Sequence, residues 1–302
     1  MDVPASPSAA CPPGLAPRTL RLLGDYLELT KPRVQSLLLL TTIAAMYVAG
    51  DPSPLLVALT CLGGYLSAGG AAAVNHYLDR DLDARMARTA TRPIPAGRVA
   101  ARAALAFGVV LAALSLLELS FAVNPLAAGL SLAGFLGYVF VYTLWLKRRT
   151  PQNIVIGGAA GAVPPLVGWA ATTGSVGGTA VILFFIVFFW TPAHFWSLSL
   201  LMHRDYARAG VPMLPVVRGE QETRRQIVLY AALTYAVSQL PFCAGRFGAI
   251  YLAGSLALGL AFVAGAVRLY VRADRRSALQ LYLFSLAYLA LLFCAMVADV
   301  HL

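Results

Sequence analysis

Nine apolar blocks, each about twenty residues long, constrain this chain more than any other feature, because about twenty residues is the length a helix needs to cross a hydrocarbon core of about 30 Å. They lie near Val34–Gly50, Leu55–Val74, Arg102–Phe121, Pro125–Trp145, Ile154–Thr173, Thr179–Leu201, Ile227–Gly245, Ile250–Leu269 and Leu279–Val297. A buried soluble helix could imitate one such block, but not nine. Composition agrees: 302 residues that are 59% hydrophobic and only 12% charged, with mean hydropathy +0.74, exclude a soluble two-domain protein. The pattern predicts an all-α polytopic membrane protein with nine transmembrane helices. Residues 25–302 form its single integral-membrane domain and residues 1–24 a disordered tail, Pro- and Ala-rich through Pro17.

Basic residues orient the spans. If the tail and every second loop are placed on one side, 22 of the 23 Lys and Arg residues fall there and only Arg246 falls opposite. The positive-inside rule makes that side cytoplasmic, with the N-terminus inside. A net charge of +10 is then explained by topology and anionic headgroups, with no nucleic-acid partner. The chain start lacks a basic segment followed by an apolar core and a cleavage site, so no secretory signal is expected. Asp2 and the lack of early arginines argue against a transit peptide. Cys11, Cys61, Cys243 and Cys294 are isolated, and the last three are expected to be small core residues.

Acidic residues are scarce, 13 in all, yet three lie within the run NHYLDRDLD that follows the second block. Asn75, Asp79 and Asp83 are spaced i, i+4, i+8 and would stack on one helical face, with Asp81 off the stripe. Three oxygen-bearing groups in a row repel one another unless a cation or a basic partner neutralises them. Mg²⁺ favours such ligands and commonly bridges to phosphates. An ordinary solvated helix end is the alternative reading, and the scarcity of acids weakens it. Arg85, Arg88, Arg92 and Arg98 follow, and their planar donor forks suit phosphate, although each also serves topology.

Other polar groups cluster on the same side. Lys147, Thr150 and Asn153 recur at spacings of three around Pro151, and Asp205 follows the sixth block in HRDYARAG, at a position equivalent to Asp79. That echo suggests two parallel four-helix units that bring their acidic loops to one mouth, with Gly63, Gly64, Gly69, Gly70, Gly157, Gly158 and Gly161 permitting close packing. His194 lies within the sixth block, two residues after Pro192 and beside Trp196. An ionisable group at membrane depth is a functional candidate, with a hydrogen bond to disrupted backbone as the plainer role.

The run NHYLDRDLDARMARTATRPIPAGR resembles the first Asp-rich motif of the intramembrane prenyltransferases, the UbiA superfamily. LTKPRV, LKRRTPQNIVIGGAAGAVPPLVGWAA and FFWTPAHFWSLSLLMHRDYARAGVPMLPVVRGE resemble its heme-farnesylating branch, and the matching stretches run from about Tyr26 to Arg225. The resemblance implies nine helices around a central cavity that opens to the cytoplasmic side, in a bacterial inner membrane. It implies farnesyl diphosphate held through Mg²⁺, heme B as acceptor, and heme O as product for heme-copper oxidases. Heme A synthase or oxidase assembly proteins would be handover partners. Carried onto this chain, it makes Asn75, Asp79, Asp83 and Asp205 metal ligands and, with Lys147, the catalytic set. Arg88, Arg92, Tyr142, Asn153, His194, Trp196, His203 and Arg204 become the substrate-binding set.

The chain departs from the superfamily at its second acidic site. Leu201 and Ala209 stand four residues either side of Asp205, where many members carry a second aspartate, and Thr91 replaces a common Asn. Two rival readings remain: a prenyltransferase acting on a quinone precursor or other aromatic acceptor, and a transporter or heme carrier. The first predicts the Asp-rich motif without the PQN and HFW segments. The second predicts midplane charges, yet Glu118 is the one acid deep within a block.

Overall fold

The computed structural model describes residues 18–302. Helices account for all its regular structure, and among the described residues nine are long and apolar enough to cross a membrane. The chain opens with α1 (Arg18–Leu29), followed by α2 (Pro32–Ala49), α3 (Pro54–Leu78) and the short α4 (Arg80–Arg85). Next are α5 (Ala101–Glu118), which runs into a π-helical turn at Leu119–Val123, and α6 (Pro125–Leu136), which runs into a ten-residue π-helix at Gly137–Leu146. The fifth span is split into α7 (Asn153–Gly161) and α8 (Val163–Thr173), with Pro164 and Pro165 in the first turn of the second piece. Then come α9 (Gly178–Leu201), α10 (His203–Ala209), α11 (Leu214–Val217), α12 (Gly219–Cys243), α13 (Ala249–Arg272) and α14 (Arg275–His301).

Two boundaries depart from the apolar blocks for a physical reason. The seventh span begins at Gly219, eight residues before Ile227, because Glu220, Arg224 and Gln226 support extra helical turns at the charged end through i, i+4 contacts. The expected tail also shortens: residues 1–17 lie outside the described residues, as does Cys11, whereas residues 18–24 belong to α1. That helix is strongly amphipathic. Tyr26 packs edge-on against Phe107 at 4.9 Å and Leu29 is fully buried, while Leu20, Leu23 and Leu27 stay exposed at spacings of three and four. On its polar side Asp25 and Glu28 both receive Arg98, at 2.7 and 3.0 Å.

Small residues let the spans approach one another. A Cβ on Gly70 would stand 2.7 Å from the Gly108 carbonyl oxygen, so α3 and α5 meet backbone to backbone. Gly63, Gly157 and Gly158 also face neighbouring side chains at close range, whereas Gly64 has only ordinary contact and Gly161 opens onto free space. The cysteines do not fill the core as expected. Cys243 and Cys294 face outward and Cys61 is half-buried, with all three free. The core between α9, α12, α13 and α14 is built instead from Trp190, Trp196, Tyr251, Phe262, Tyr288 and Phe293.

Candidate active site

Asn75 lies in the last turn of α3, Asp79 caps that helix, and Asp83 lies in α4. The helix does not run on unbroken, as the spacing suggested, because Asp79 adopts φ −94°, ψ 5° at the joint. The i to i+4 hydrogen bonds nevertheless continue through it, from Asp79 N–H to the Asn75 carbonyl at 2.9 Å and from Asp83 N–H to the Asp79 carbonyl at 2.8 Å. The three side chains are therefore buried together, at 3%, 0% and 3% exposure, while Asp81 is turned outward. This corrects the expectation of a solvent-facing mouth. The carboxylates lie beneath the surface.

Burial makes their partners obligatory, since an unpaired buried charge is costly. Lys147, at the end of the long π-helix, pairs with Asp79 Oδ2, to which Asn75 Nδ2 also donates at 2.7 Å. Arg92 donates one guanidinium nitrogen to both oxygens of Asp83, at 2.8 and 2.7 Å. Lys31, at the joint between α1 and α2, donates to Asn75 Oδ1 at 2.9 Å, and its backbone is left-handed at φ 53°. Burial and the nearby Arg92 and Lys147 charges pull the Lys31 ammonium down to about 7. Outside the cluster, Arg148 grips Asp81 through two bonds of 2.8 and 2.7 Å and holds its carboxyl down at about 2.

Several of these contacts were not legible in the sequence. Lys31, within LTKPRV, carries no sequence signal of its bond to Asn75. The π-helix was invisible too, yet it shapes the site. Its wider turn gives Lys147 N–H the Tyr142 carbonyl at 2.8 Å and stacks Tyr138 on Tyr142 at 5.4 Å. It also places the Thr143 hydroxyl 3.2 Å from Asn75 Nδ2. Thr89 is buried and closes α4 by donating to the Asp83 carbonyl at 2.9 Å.

The remaining candidates are distributed unevenly. Asp205 is half-buried on α10, which packs against α4, so the two acidic corners are neighbours. Asp205 makes no ion pair among the described residues, and burial raises the phenol of the adjacent Tyr206. Arg88 and Arg204 are exposed. His203 turns toward α12 instead, with Nδ1 3.4 Å from Glu220, which Arg224 also approaches at 3.3 Å. Asn153 is fully buried, donates to the Thr150 carbonyl at 2.5 Å and leaves Oδ1 without a partner. The acidic cluster does not include His194 or Trp196. The His194 ring lies between Trp190 and Tyr282, at 4.3 and 5.0 Å, and its Nδ1 bonds Ser285 Oγ at 2.7 Å. Trp196 leaves α9 on another face and meets Tyr230 edge-on at 5.4 Å.

No group of three or more His, Cys, Asp or Glu side chains among the described residues is gathered tightly enough to hold a metal ion. The donor chemistry still fits a hard cation. Asn75, Asp79 and Asp83 would ligate through oxygen alone, and the buried Asp79 Oδ1 has no hydrogen bond, with Arg148 3.8 Å away.

Nine membrane-length helices among the described residues, with buried carboxylates matched by cations at one end, define an integral-membrane helical bundle with a charged end. The model of the UbiA prenyltransferase family matches residues 38–292, and the chain belongs to that family. Among its relatives, the protoheme IX farnesyltransferase of Symbiobacterium thermophilum is 54% identical over 284 residues, which cover 93% of this chain and 95% of that one. The protein of the same name from Chloroflexus aurantiacus is 54% identical over 280 residues, 92% of this chain but 48% of the relative. The chain thus spans about half the length of the first curated relatives it matches. A UbiA homolog from Archaeoglobus fulgidus, solved with DMAPP and Mg²⁺, shares the fold at TM-score 0.64 and 17% identity, over 90% of this chain and 99% of that one.

Proposed function

We propose that this protein transfers the farnesyl group of farnesyl diphosphate to a vinyl group of heme B, giving heme O for heme-copper oxidases. One observation carries the reading: two buried carboxylates, each held by a cation, at one end of an otherwise apolar bundle. The choice of heme as acceptor rests on the names of the relatives. The charged end faces the cytoplasm of a bacterial inner membrane in this reading.

An allylic diphosphate stays intact until the charge on its leaving group is neutralised. Lys147 and Arg92 neutralise Asp79 and Asp83 here, and the same two cations would receive the diphosphate, with the exposed Arg88 as a further basic group. Asn75, Asp79 and Asp83 would hold Mg²⁺, with Asp205 on α10, the helix that packs against α4. Bound there, Mg²⁺ would supply Lewis-acid stabilisation of the leaving diphosphate. Tyr138 and Tyr142 present aromatic surface beside the cluster, and the surrounding bundle keeps bulk water from the allylic carbon. The C1–oxygen bond breaks with its electron pair leaving on diphosphate, and a heme vinyl carbon forms the new bond to C1. Water adds to the neighbouring vinyl carbon and loses a proton, leaving a hydroxyethylfarnesyl group. His194, oriented through Nδ1 by Ser285, is the candidate heme contact through its other ring nitrogen.

The test is an acceptor panel: purified protein with farnesyl diphosphate and Mg²⁺, offered heme B or 4-hydroxybenzoate and followed by mass spectrometry. Farnesylated, hydrated heme is the expected product. Prenylation of the benzoate alone would assign the protein to quinone-precursor chemistry, and no prenylated product would remove the transferase reading.

A further inference from the structure

His76 stands in the last turn of α3, between Asn75 and Asp79, and takes no part in the chemistry described above. It is 1% exposed, and neither ring nitrogen has a hydrogen-bond partner among the described residues. An imidazole carries at least one N–H in either protonation state, so a buried donor is left unsatisfied, at a cost that native structures rarely accept. Asp79 follows three residues later, which places both side chains on one side of the helix end. Three cations reach the same helix end, Lys31 on Asn75, Lys147 on Asp79 and Arg92 on Asp83.

The missing partner can be named by its chemistry. An unsatisfied donor on the same helix end as three residues that each hold a cation describes a place for an anion with several acceptor oxygens. A metal ion is the poorer candidate, because Mg²⁺ selects oxygen over imidazole nitrogen and His76 forms no metal-binding group with the nearby carboxylates. A structural partner is also lacking, since neither nitrogen meets a carbonyl or hydroxyl within the packed end of α3.

We propose that His76 is a diphosphate-positioning residue, which donates a ring N–H to an oxygen of the prenyl diphosphate held by Lys31, Arg92 and Lys147. The inference rests on the transferase reading for the identity of the anion. It adds a neutral-donor contact and a third basic position, Lys31, to a site otherwise described by Asp79, Asp83, Arg92 and Lys147. Fixing one phosphate oxygen by a donor anchored on α3 would orient the leaving group relative to the carboxylates one helical turn away.

The experiment is calorimetric titration of the purified full-length protein with inorganic diphosphate and Mg²⁺, repeated with farnesyl diphosphate. His76→Phe keeps the ring volume without a donor, and its affinity for both ligands should fall about tenfold to a hundredfold, the range for losing a hydrogen bond to a charged group. His76→Gln restores an N–H donor and should recover most of the loss, which a purely packing role would not produce. In ¹⁵N-histidine spectra, the signal absent from His76→Gln should move when diphosphate is added to the unmodified protein. Should His76→Phe fail to fold, a His76 signal unmoved by diphosphate overturns the proposal. So does a folded His76→Phe that binds within twofold of the unmodified protein, and the transferase reading then stands. If the unmodified protein binds diphosphate and responds at His76 but transfers no farnesyl group, the reading falls and the anion contact stands.

Discussion

The two acidic corners of the bundle are built to similar plans and solve different problems. At the α3–α4 corner, Asp79 and Asp83 are buried, and each is matched by a cation drawn from elsewhere in the chain: Lys147 from 68 residues away and Arg92 from nine. At the α9–α10 corner a single carboxylate, Asp205, stays half-exposed without an ion pair, and the neighbouring His203 turns away to Glu220. Water can stabilise Asp205 where it stands. It cannot reach Asp79 or Asp83, so their surroundings must carry compensating charge, and that charge is what an anionic substrate would use. In the proposed reaction, the corner with buried carboxylates is the one that carries the chemistry.

The comparison is broken most easily at its buried half. Asp79→Ala or Asp83→Ala should lower turnover by about 10²–10³ or more, the scale for losing a preorganised charge-stabilising group. Each also leaves a cation unpaired, so the melting temperature should fall, and breaking a buried pair typically costs about 3–5 kcal/mol. Asp79→Asn and Asp83→Asn separate the two effects by keeping shape. Full turnover in both Asn variants would show that the buried pairs serve only folding.

A smaller effect is expected from the cations. Arg92→Ala and Lys147→Ala should raise the apparent KM for farnesyl diphosphate and leave that for heme B nearly unchanged. Arg272→Ala and Arg276→Ala, at the exposed α13–α14 corner, should alter neither. Equal behaviour of all four in steady-state kinetics would mean that the basic residues act through topology or stability.

Asp205→Ala sharpens the contrast directly. Its loss of turnover should be clearly less than that of Asp79→Asn, with no change in melting temperature, because no buried cation depends on it. Equal loss would make the half-exposed corner an equal partner in the reaction.

The smallest effect lies outside both corners. Asp81 pairs with Arg148 at the surface, and its carboxyl is held at about 2, below its ordinary range. A depressed carboxylate stabilises the fold above its unfolded value near 4 and loses that contribution as pH falls toward 2, a window set by about 3.9 for a free Asp. Being exposed, the pair is worth at most about 1 kcal/mol. Asp81→Asn should therefore lower the melting temperature slightly at pH 7, with the difference vanishing toward pH 2, and should leave turnover intact.

What the sequence revealed follows from which forces act locally. Span length and charge asymmetry are local to each block, so nine helices and a charged end could be read directly, and the i, i+4, i+8 spacing separated Asp81 from the buried residues. The cation partners could not be read, because pairing Lys31 with Asn75 and Lys147 with Asp79 depends on how α2, α3 and the π-helix pack. The depth of the carboxylates was misjudged for the same reason: an acidic run beside a span looks solvent-facing until α4 folds back against α10. The π-helix at Gly137–Leu146 has an apolar sequence with no marker of its wider turn, and His76 looked like one more residue between ligands.

In the proposed reaction the buried α3–α4 corner ionises a prenyl diphosphate for transfer to heme. The most direct measurement is incubation of purified protein with heme B and farnesyl diphosphate, scored by mass spectrometry in Mg²⁺, in EDTA, and in EDTA followed by excess Mg²⁺. The expected result is heme carrying one farnesyl group and one water in the first and third mixtures only. Full product in EDTA, or unmodified heme in all three, would contradict it.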